Sequence, residues 1–222
     1  QAGRDMDEPG RPQRRRPYVI GITGNIGAGK STVSRLLTEL GAATIDADKV
    51  AHRVMRPGAA AHARIVQTFG PEVVLPSGQI DRARLGAIVF RDPAALDRLE
   101  EIVHPATIAA INRQIARARA AVVAVEAIKL IEAGMAASVD SIWVVVAGRE
   151  QQIERIMGRG LSRAEAEQRI DAQSPPELKL ALADVVIDNS GSLDETRQQV
   201  RAAWQQSVGA SDGANRTAQK PA

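Results

Sequence analysis

Gly24-Asn25-Ile26-Gly27-Ala28-Gly29-Lys30-Ser31 has glycines at its first and sixth positions, followed by a lysine and a hydroxyl. It stands directly after the apolar run Tyr18-Val19-Ile20-Gly21-Ile22-Thr23. This is the spacing with which a backbone loop cradles the phosphates of a nucleoside triphosphate. Glycines let N–H groups converge on the phosphates without a side chain between them. Lys30 supplies a point charge and Ser31 a hydroxyl for Mg²⁺. A helix predicted from Ser31 aims its positive end at the same place.

Two further groups of residues carry chemistry. Asp46-Ala47-Asp48 closes a predicted second strand at the edge on which the loop opens. In an extended chain residues two apart point the same way, so one carboxylate holds the Mg²⁺ water shell while the other accepts a proton from an attacking hydroxyl. The plain alternative makes Asp48 the N-cap of the helix that follows. Arg149, Arg155, Arg159, Arg163 and Arg169 form an arginine series nearer the C-terminus. Arg155 and Arg159, one helical turn apart, are placed to close over a triphosphate with bidentate forks. Here the alternative is a pair of solvated helices bridged by Glu150, Glu154, Glu165 and Glu167.

The elements that must position these groups are legible in outline. Val33, Leu36, Leu37 and Leu40 follow helical spacing, and Ala43-Thr44-Ile45-Asp46 reads as the second strand. Val122–Val125 and Ile142–Val146 are continuous apolar runs of the kind found in parallel strands covered on both faces, and Asp184–Asn189 reads as a last strand. From Lys49 to about residue 120 the pattern is helical, broken at Pro57-Gly58, Pro71, Pro76-Ser77-Gly78, Asp92-Pro93 and His104-Pro105. Two helices are predicted over 149–159 and 161–173, and a closing helix over 193–207. The fold class is therefore α/β: a doubly wound, five-stranded parallel sheet of the P-loop nucleoside-kinase type. A helical substrate subdomain (about 50–120) is inserted in it, and an arginine-bearing lid spans about 149–178. One domain over 17–206 is expected, flanked by disordered tails at 1–16 and 207–222.

Composition narrows the function classes. The chain has 222 residues and 2% aromatics, too few for base-stacking platforms on single-stranded nucleic acid. Its net charge of +3 sits in the two polar ends, where Arg14-Arg15-Arg16 reads as a solvated lead-in and not a nucleic-acid patch. Zero cysteines exclude disulfides and thiol catalysis, and unpaired histidines make a His-based metal site unexpected. No apolar stretch reaches membrane-spanning length and no signal-like apolar region opens the chain, so a cytoplasmic location is expected.

Six stretches in order resemble the dephospho-coenzyme A kinase family. They are Gly21-Ile22-Thr23-Gly24 through Lys30-Ser31-Thr32; Ile45-Asp46-Ala47-Asp48; Pro57-Gly58; Ile102-Val103-His104-Pro105; Arg155 through Arg159 with Arg169-Ile170-Asp171-Ala172-Gln173; and Ala183-Asp184-Val185-Val186-Ile187-Asp188-Asn189. The resemblance implies transfer of phosphate from ATP to the ribose 3′-hydroxyl of dephospho-coenzyme A, with Mg²⁺ as cofactor. It implies Asp48 as base, Lys30 bridging the β- and γ-phosphates, Ser31 and Asp46 toward the metal, and Arg159 as the phosphate-binding arginine of the lid. ATP contacts are implied for Gly24 through Thr32, for Arg155, and for Asn189, there through backbone or side chain. His104 has two readings, a substrate contact or a helix-boundary residue. The chain departs from the family at Ile128-Lys129-Leu130-Ile131-Glu132, where a proline is common. Lys129 either points outward or enters the cleft to touch substrate phosphate; the second is preferred, and Leu130 is placed with it among the substrate contacts. Glu126, at a strand end, is a candidate carboxylate behind the metal. Asn25 stands where the family often has glycine, and asparagine tolerates unusual backbone angles. A monomer acting on these small molecules, with no nucleic-acid or membrane partner, is expected. The alternatives are a P-loop kinase for another small acceptor, or a nucleotide-dependent switch, which needs neither an acceptor-side carboxylate nor a lid.

Overall fold

The apolar runs form one all-parallel sheet in the order β2-β3-β1-β4-β5, with β1 at Tyr18–Thr23, β2 at Ala43–Asp46, β3 at Val122–Glu126, β4 at Ser141–Val146 and β5 at Val185–Asp188. The computed structural model describes residues 16–216. The helices are α1 (Lys30–Glu39), α2 (Ala47–Val54), α3 (His62–Phe69), α4 (Arg82–Arg91), α5 (Pro93–Arg117), α6 (Arg149–Met157), α7 (Arg163–Asp171), α8 (Pro176–Leu180) and α9 (Leu193–Arg216). Between β1 and β2 the chain steps over the position of β3, and after β3 it turns to the other side of β1. The crevice beside the carboxyl end of β1 is thus a topological switch point, where such sheets bind ligands.

Strand side chains alternate between two cores, which is why the runs read as continuously apolar. Ile20, Ile22, Val122, Ala124, Trp143, Val145 and Ile187 face α1 and α9, which contribute Val33, Leu36, Leu37, Val200 and Ala203. Val19, Ile45, Val123 and Val125 face the helical block, with Val50, Ile65, Leu85, Ile102 and Ile111 from α2 to α5. A third, small cluster of Ile153, Ile156 and Ala166 joins α6 to α7, and Ile26 of the loop packs on it.

Local signals explain most boundaries. Asp81 caps α4 by accepting from the Ala83 and Arg84 N–H groups (3.1 and 3.0 Å), and Asp92 caps α5 through Ala94 N–H (2.9 Å) with Pro93 as first helical residue. The break expected at His104-Pro105 does not occur, since α5 runs through Pro105. Proline removes one i→i−4 bond, but Ile102, Val103, Thr107 and Ile111 are buried on both sides of it, and that packing keeps the helix continuous. The two arginine-bearing helices are present, followed by a short α8 that the pattern did not show. Of the ends expected to be disordered, residues 1–15 and 217–222 lie outside the described residues. Within them, Arg16 donates to Asp140 Oδ1 (2.9 Å), and α9 continues past Ser207 because Val208 still packs on the core under α1 and α9.

Candidate active site

The loop after β1 is shaped by where its backbone groups find partners. Lys30 Nζ lies back over the loop and donates to Gly24 O (2.8 Å) and Asn25 O (3.2 Å). Arg155 Nη1 donates to Gly27 O and Ala28 O (3.1 Å each), while its Nη2 donates to Asn189 O (2.7 Å). Asn189 Nδ2 donates a second bond to Ala28 O (2.9 Å), and its Oδ1 accepts from Thr196 Oγ1 (2.9 Å). With these carbonyls held, and the Ile26, Ala28 and Thr32 N–H groups bonded to Gln173 Oε1, Asn25 O and Gly29 O, the amides of Gly27, Gly29, Lys30 and Ser31 are left for an anion. Gly29, at φ 96, is obligatory twice over: its backbone is left-handed, and a Cβ there would overlap the Asn189 amide. At Gly24 (φ 147) a Cβ would overlap the Val145 carbonyl. Asn25 needs no such latitude, since none of the described non-glycine residues has positive φ; it is buried, with Nδ2 donating to Ser174 O (3.3 Å).

Two clefts meet at this loop. One, of ≈ 420 Å³, is bounded by Gly29, Thr32, Arg155, Arg159, Asn189 and Gly191; the other, of ≈ 380 Å³, by Ser34, Thr44, Asp46, Lys49, Arg53 and Glu126. Ser31 lines both. Its exposed hydroxyl at the start of α1 therefore stands at the junction of a site fit for a nucleotide and a polar site fit for a metal and an acceptor.

The charges around the junction perturb one another. Lys30 is only 7% exposed, and burial pushes its ammonium down to about 8, although Glu126 and Asp48 pull the other way. Burial raises Asp48 above the ordinary carboxylate range, and the neighbouring Asp46 raises it further, against Lys30 and His52. Asp48 and Lys30 thus feel each other electrostatically, although neither is among the residues that line the two clefts, and a carboxylate with a raised pKa is the stronger base. On Asp46, burial works upward, but bonds from the Lys49 N–H (3.0 Å) and ammonium (2.9 Å) more than reverse it and hold it low. Glu126 Oε2 accepts from Ser34 Oγ (2.7 Å), which fixes this carboxylate at the end of β3.

Several expectations are revised. Asp48 does not extend the strand beside Asp46. β2 ends at Asp46, which is itself the N-cap of α2, and Asp48 occupies the first helical turn, where residues two apart diverge. Arg155 and Arg159 do not share a helix face, because α6 ends at Met157 and Arg159 lies in the turn beyond; both nevertheless border the same cleft. Of the remaining arginines, Arg163 follows the plain reading in pairing with Glu150 (2.7 Å) and Glu167 (3.0 Å), whereas Arg149 pairs with Asp171 (2.8 Å), and Glu165 accepts from Ser162 instead of bridging an arginine. Lys129 pairs with Glu100 of α5, so its charge is already matched. Leu130 is fully buried in the core against Gly21, where a Cβ would come within 2.7 Å of it, and is no surface contact for a substrate. His104 lies half-buried inside α5 and is not a helix boundary. Asn189 is consumed by structure in side chain and backbone alike, its N–H donating to Val146 O (2.8 Å) and its carbonyl accepting from Arg155, so it borders the cleft as part of the frame.

Residues unmarked in the sequence also shape the site. Lys179 of α8 is 3% exposed and donates from Nζ to Glu132 Oε1 (2.9 Å), tying α8 to the segment after β3; Gln173 reaches the loop itself, accepting from Ile26 N–H (2.6 Å). Gln173 was within reach of motif comparison, whereas Lys179 sits in a five-residue helix with no periodic signal.

A family model described as dephospho-CoA kinase matches residues 18–195. The chain is 48% identical over 190 residues to the dephospho-CoA kinase of Geobacter sulfurreducens, a match that covers 84% of this chain and 96% of the relative. Among solved structures it is similar to a Thermus thermophilus protein (TM-score 0.76, 36% identity, covering 86% of this chain and 98% of that one). It is also similar to the dephospho-CoA kinase of Campylobacter jejuni (TM-score 0.64, 31% identity, with the same two coverages). A match over most of the chain's length, on a fold with the phosphate loop after its first strand, assigns the protein: it belongs to the dephospho-CoA kinase family.

Proposed function

We propose that this chain catalyses transfer of the γ-phosphoryl group of ATP to the ribose 3′-hydroxyl of dephospho-coenzyme A, giving ADP and coenzyme A. The observation that carries the reading is the junction at Ser31, where the cleft beside the phosphate loop meets the cleft under Asp46. Strands β1 and β2 are separated by β3 alone, so their carboxyl ends stand about 10 Å apart, a span that a ribose and a γ-phosphate fill together.

In this reading the amides of Gly27, Gly29, Lys30 and Ser31, at the start of α1, hold the phosphates. The Lys30 ammonium swings from the Gly24 and Asn25 carbonyls to the β- and γ-phosphates, exchanging neutral acceptors for anionic ones. Asp48 accepts the 3′-hydroxyl proton as the oxygen attacks phosphorus. Arg159 balances the charge spread over the transferring group, and the α6–α7 arm acts as a lid over it. Arg155 holds the loop's shape and is not itself a phosphate ligand. The oxygen donors Ser31, Asp46 and Glu126 share one cleft, a set that suits Mg²⁺, which keeps several waters and takes few protein ligands. Ser31 would hold the ion with Asp46 in support, and the ion would neutralise phosphate charge.

Among the described residues no helix is long and apolar enough to cross a membrane, and this, with the scarcity of aromatics, supports a cytoplasmic enzyme without membrane or nucleic-acid partners. Incubation with Mg²⁺-ATP and dephospho-coenzyme A should yield ADP and coenzyme A in equal amounts. No turnover by folded protein overturns the reading, and a higher kcat/KM for another hydroxyl acceptor reassigns the substrate.

A further inference from the structure

The phosphate loop is held from the lid side as well as from the core. Ile26 N–H donates to Gln173 Oε1 (2.6 Å), and the preceding Asn25 donates from Nδ2 to Ser174 O (3.3 Å). The Ile26 side chain packs against the Ile153, Ile156 and Ala166 cluster between α6 and α7. Gln173 moves with α7, because its own N–H bonds Ile170 O (3.1 Å) in the turn that ends the helix. On the far side the segment is pinned by the Lys179–Glu132 pair. Two consecutive loop residues are thus fastened to the α7–α8 junction by amide and side-chain amide, and Ile26 to the α6–α7 cluster by apolar contact, although about 150 residues of sequence separate loop and junction.

We propose that Gln173 is a positioning residue for the nucleotide: it fixes the Ile26 amide, so the phosphate loop is preformed for ATP only while the α7–α8 junction is docked on it. The chemistry is that of a part-buried donor. With its acceptor removed, the Ile26 N–H is left unpaired, and the loop rotates to find water, spoiling the aim of the neighbouring amides that face the phosphates. Lys30 and Arg155 hold loop carbonyls, whereas Gln173 holds an amide, a task neither cation can perform. The inference rests on nucleotide binding by the loop and is independent of the acceptor.

The test compares wild type with Gln173→Met, which keeps the length and removes the acceptor, and Gln173→Glu, which restores an acceptor oxygen. Gln173→Met should weaken ADP binding about tenfold, with kcat at saturating ATP and KM for dephospho-coenzyme A within about twofold. By hydrogen-exchange mass spectrometry the Ile26 amide should be protected in ligand-free wild type, exchange faster in Gln173→Met, and regain protection in Gln173→Glu. An unprotected Ile26 amide in ligand-free wild type overturns the proposal without any variant. So does unchanged ADP affinity in Gln173→Met, or a parallel loss of melting temperature, kcat and both KM values, which marks a merely structural role. Failure of wild type to bind ADP would instead sink the proposed function, so the two failures are distinguishable.

Discussion

Lys30 offers a quantitative test because its environment in the ligand-free protein disfavours its charge. Burial lowers its pKa from 10.5 to about 8, which corresponds to about 3 kcal/mol against the ammonium. A bound nucleotide places phosphate oxygens against the same nitrogen and restores the charged form. Binding above pH 8 must therefore take up a proton. If the bound pKa returns to 10.5 or above, the affinity for ADP should fall about eightfold between pH 7.5 and pH 9, and further at higher pH. Titration calorimetry in two buffers of different ionisation enthalpy reads both quantities, and at pH 9 proton uptake should approach one per ADP. Lys30→Arg, which stays charged throughout, should bind more weakly at pH 7.5 but lose the pH dependence. The same shift predicts a stability effect of defined sign. Because the folded pKa lies below the unfolded one, the charged lysine destabilises the ligand-free protein below about pH 8, and this penalty is relieved as pH rises from about 8 to 10.5. The stability of wild type relative to Lys30→Met should therefore increase over that interval in denaturant unfolding. An ADP affinity that stays flat from pH 7.5 to 9, without proton uptake, refutes the reasoning.

Other perturbations separate the remaining roles. Asp48→Asn keeps shape and removes basicity, so kcat should drop by roughly 10²–10⁴ in a coupled ADP-release assay while ADP affinity stays nearly unchanged; an equal loss of ADP binding would move Asp48 to a metal or structural role. Arg159→Ala should lower kcat more than it raises KM for ATP, whereas Arg155→Ala, by releasing three backbone carbonyls, should chiefly weaken ATP binding and lower the melting temperature. Lys129→Ala should leave kcat/KM for dephospho-coenzyme A within about twofold, since its ammonium is matched by Glu100; a tenfold loss would return it to the cleft. Glu132→Gln should destabilise the fold by roughly 2–4 kcal/mol in urea unfolding, because it leaves Lys179 buried without its counter-charge.

The parts of this molecule that announce themselves in sequence are those governed by local rules. Tyr18–Thr23 is legible to the residue because a strand covered on both faces is almost wholly apolar, and the edge strand Ala43–Asp46, with Thr44 exposed, is legible from its short span between Gly41 and the helical pattern that follows. The phosphate loop was legible because glycine is demanded where φ is positive and a neighbour's backbone or amide fills the space of a Cβ. The errors lie where tertiary contact outvotes local preference. Pro105 reads as a helix end until the apolar residues on both sides of it are seen to be buried, and Asp46-Ala47-Asp48 reads as strand until Asp46 is seen capping α2. Arg155 is the most instructive case. As a residue type it fits phosphate recognition, and its position near a nucleotide cleft is what the motif implies. What the sequence does not display is the set of carbonyls that a phosphate loop must turn outward in order to turn its amides inward. Two such carbonyls belong to Gly27 and Ala28, far from residue 155 in the chain, and one guanidinium satisfies both while also holding the Asn189 carbonyl after β5. A loop that presents donors to a ligand requires a second layer of donors behind it. Arg155 and the Asn189 amide are that layer, drawn from two separate elements, and only the folded sheet brings them together.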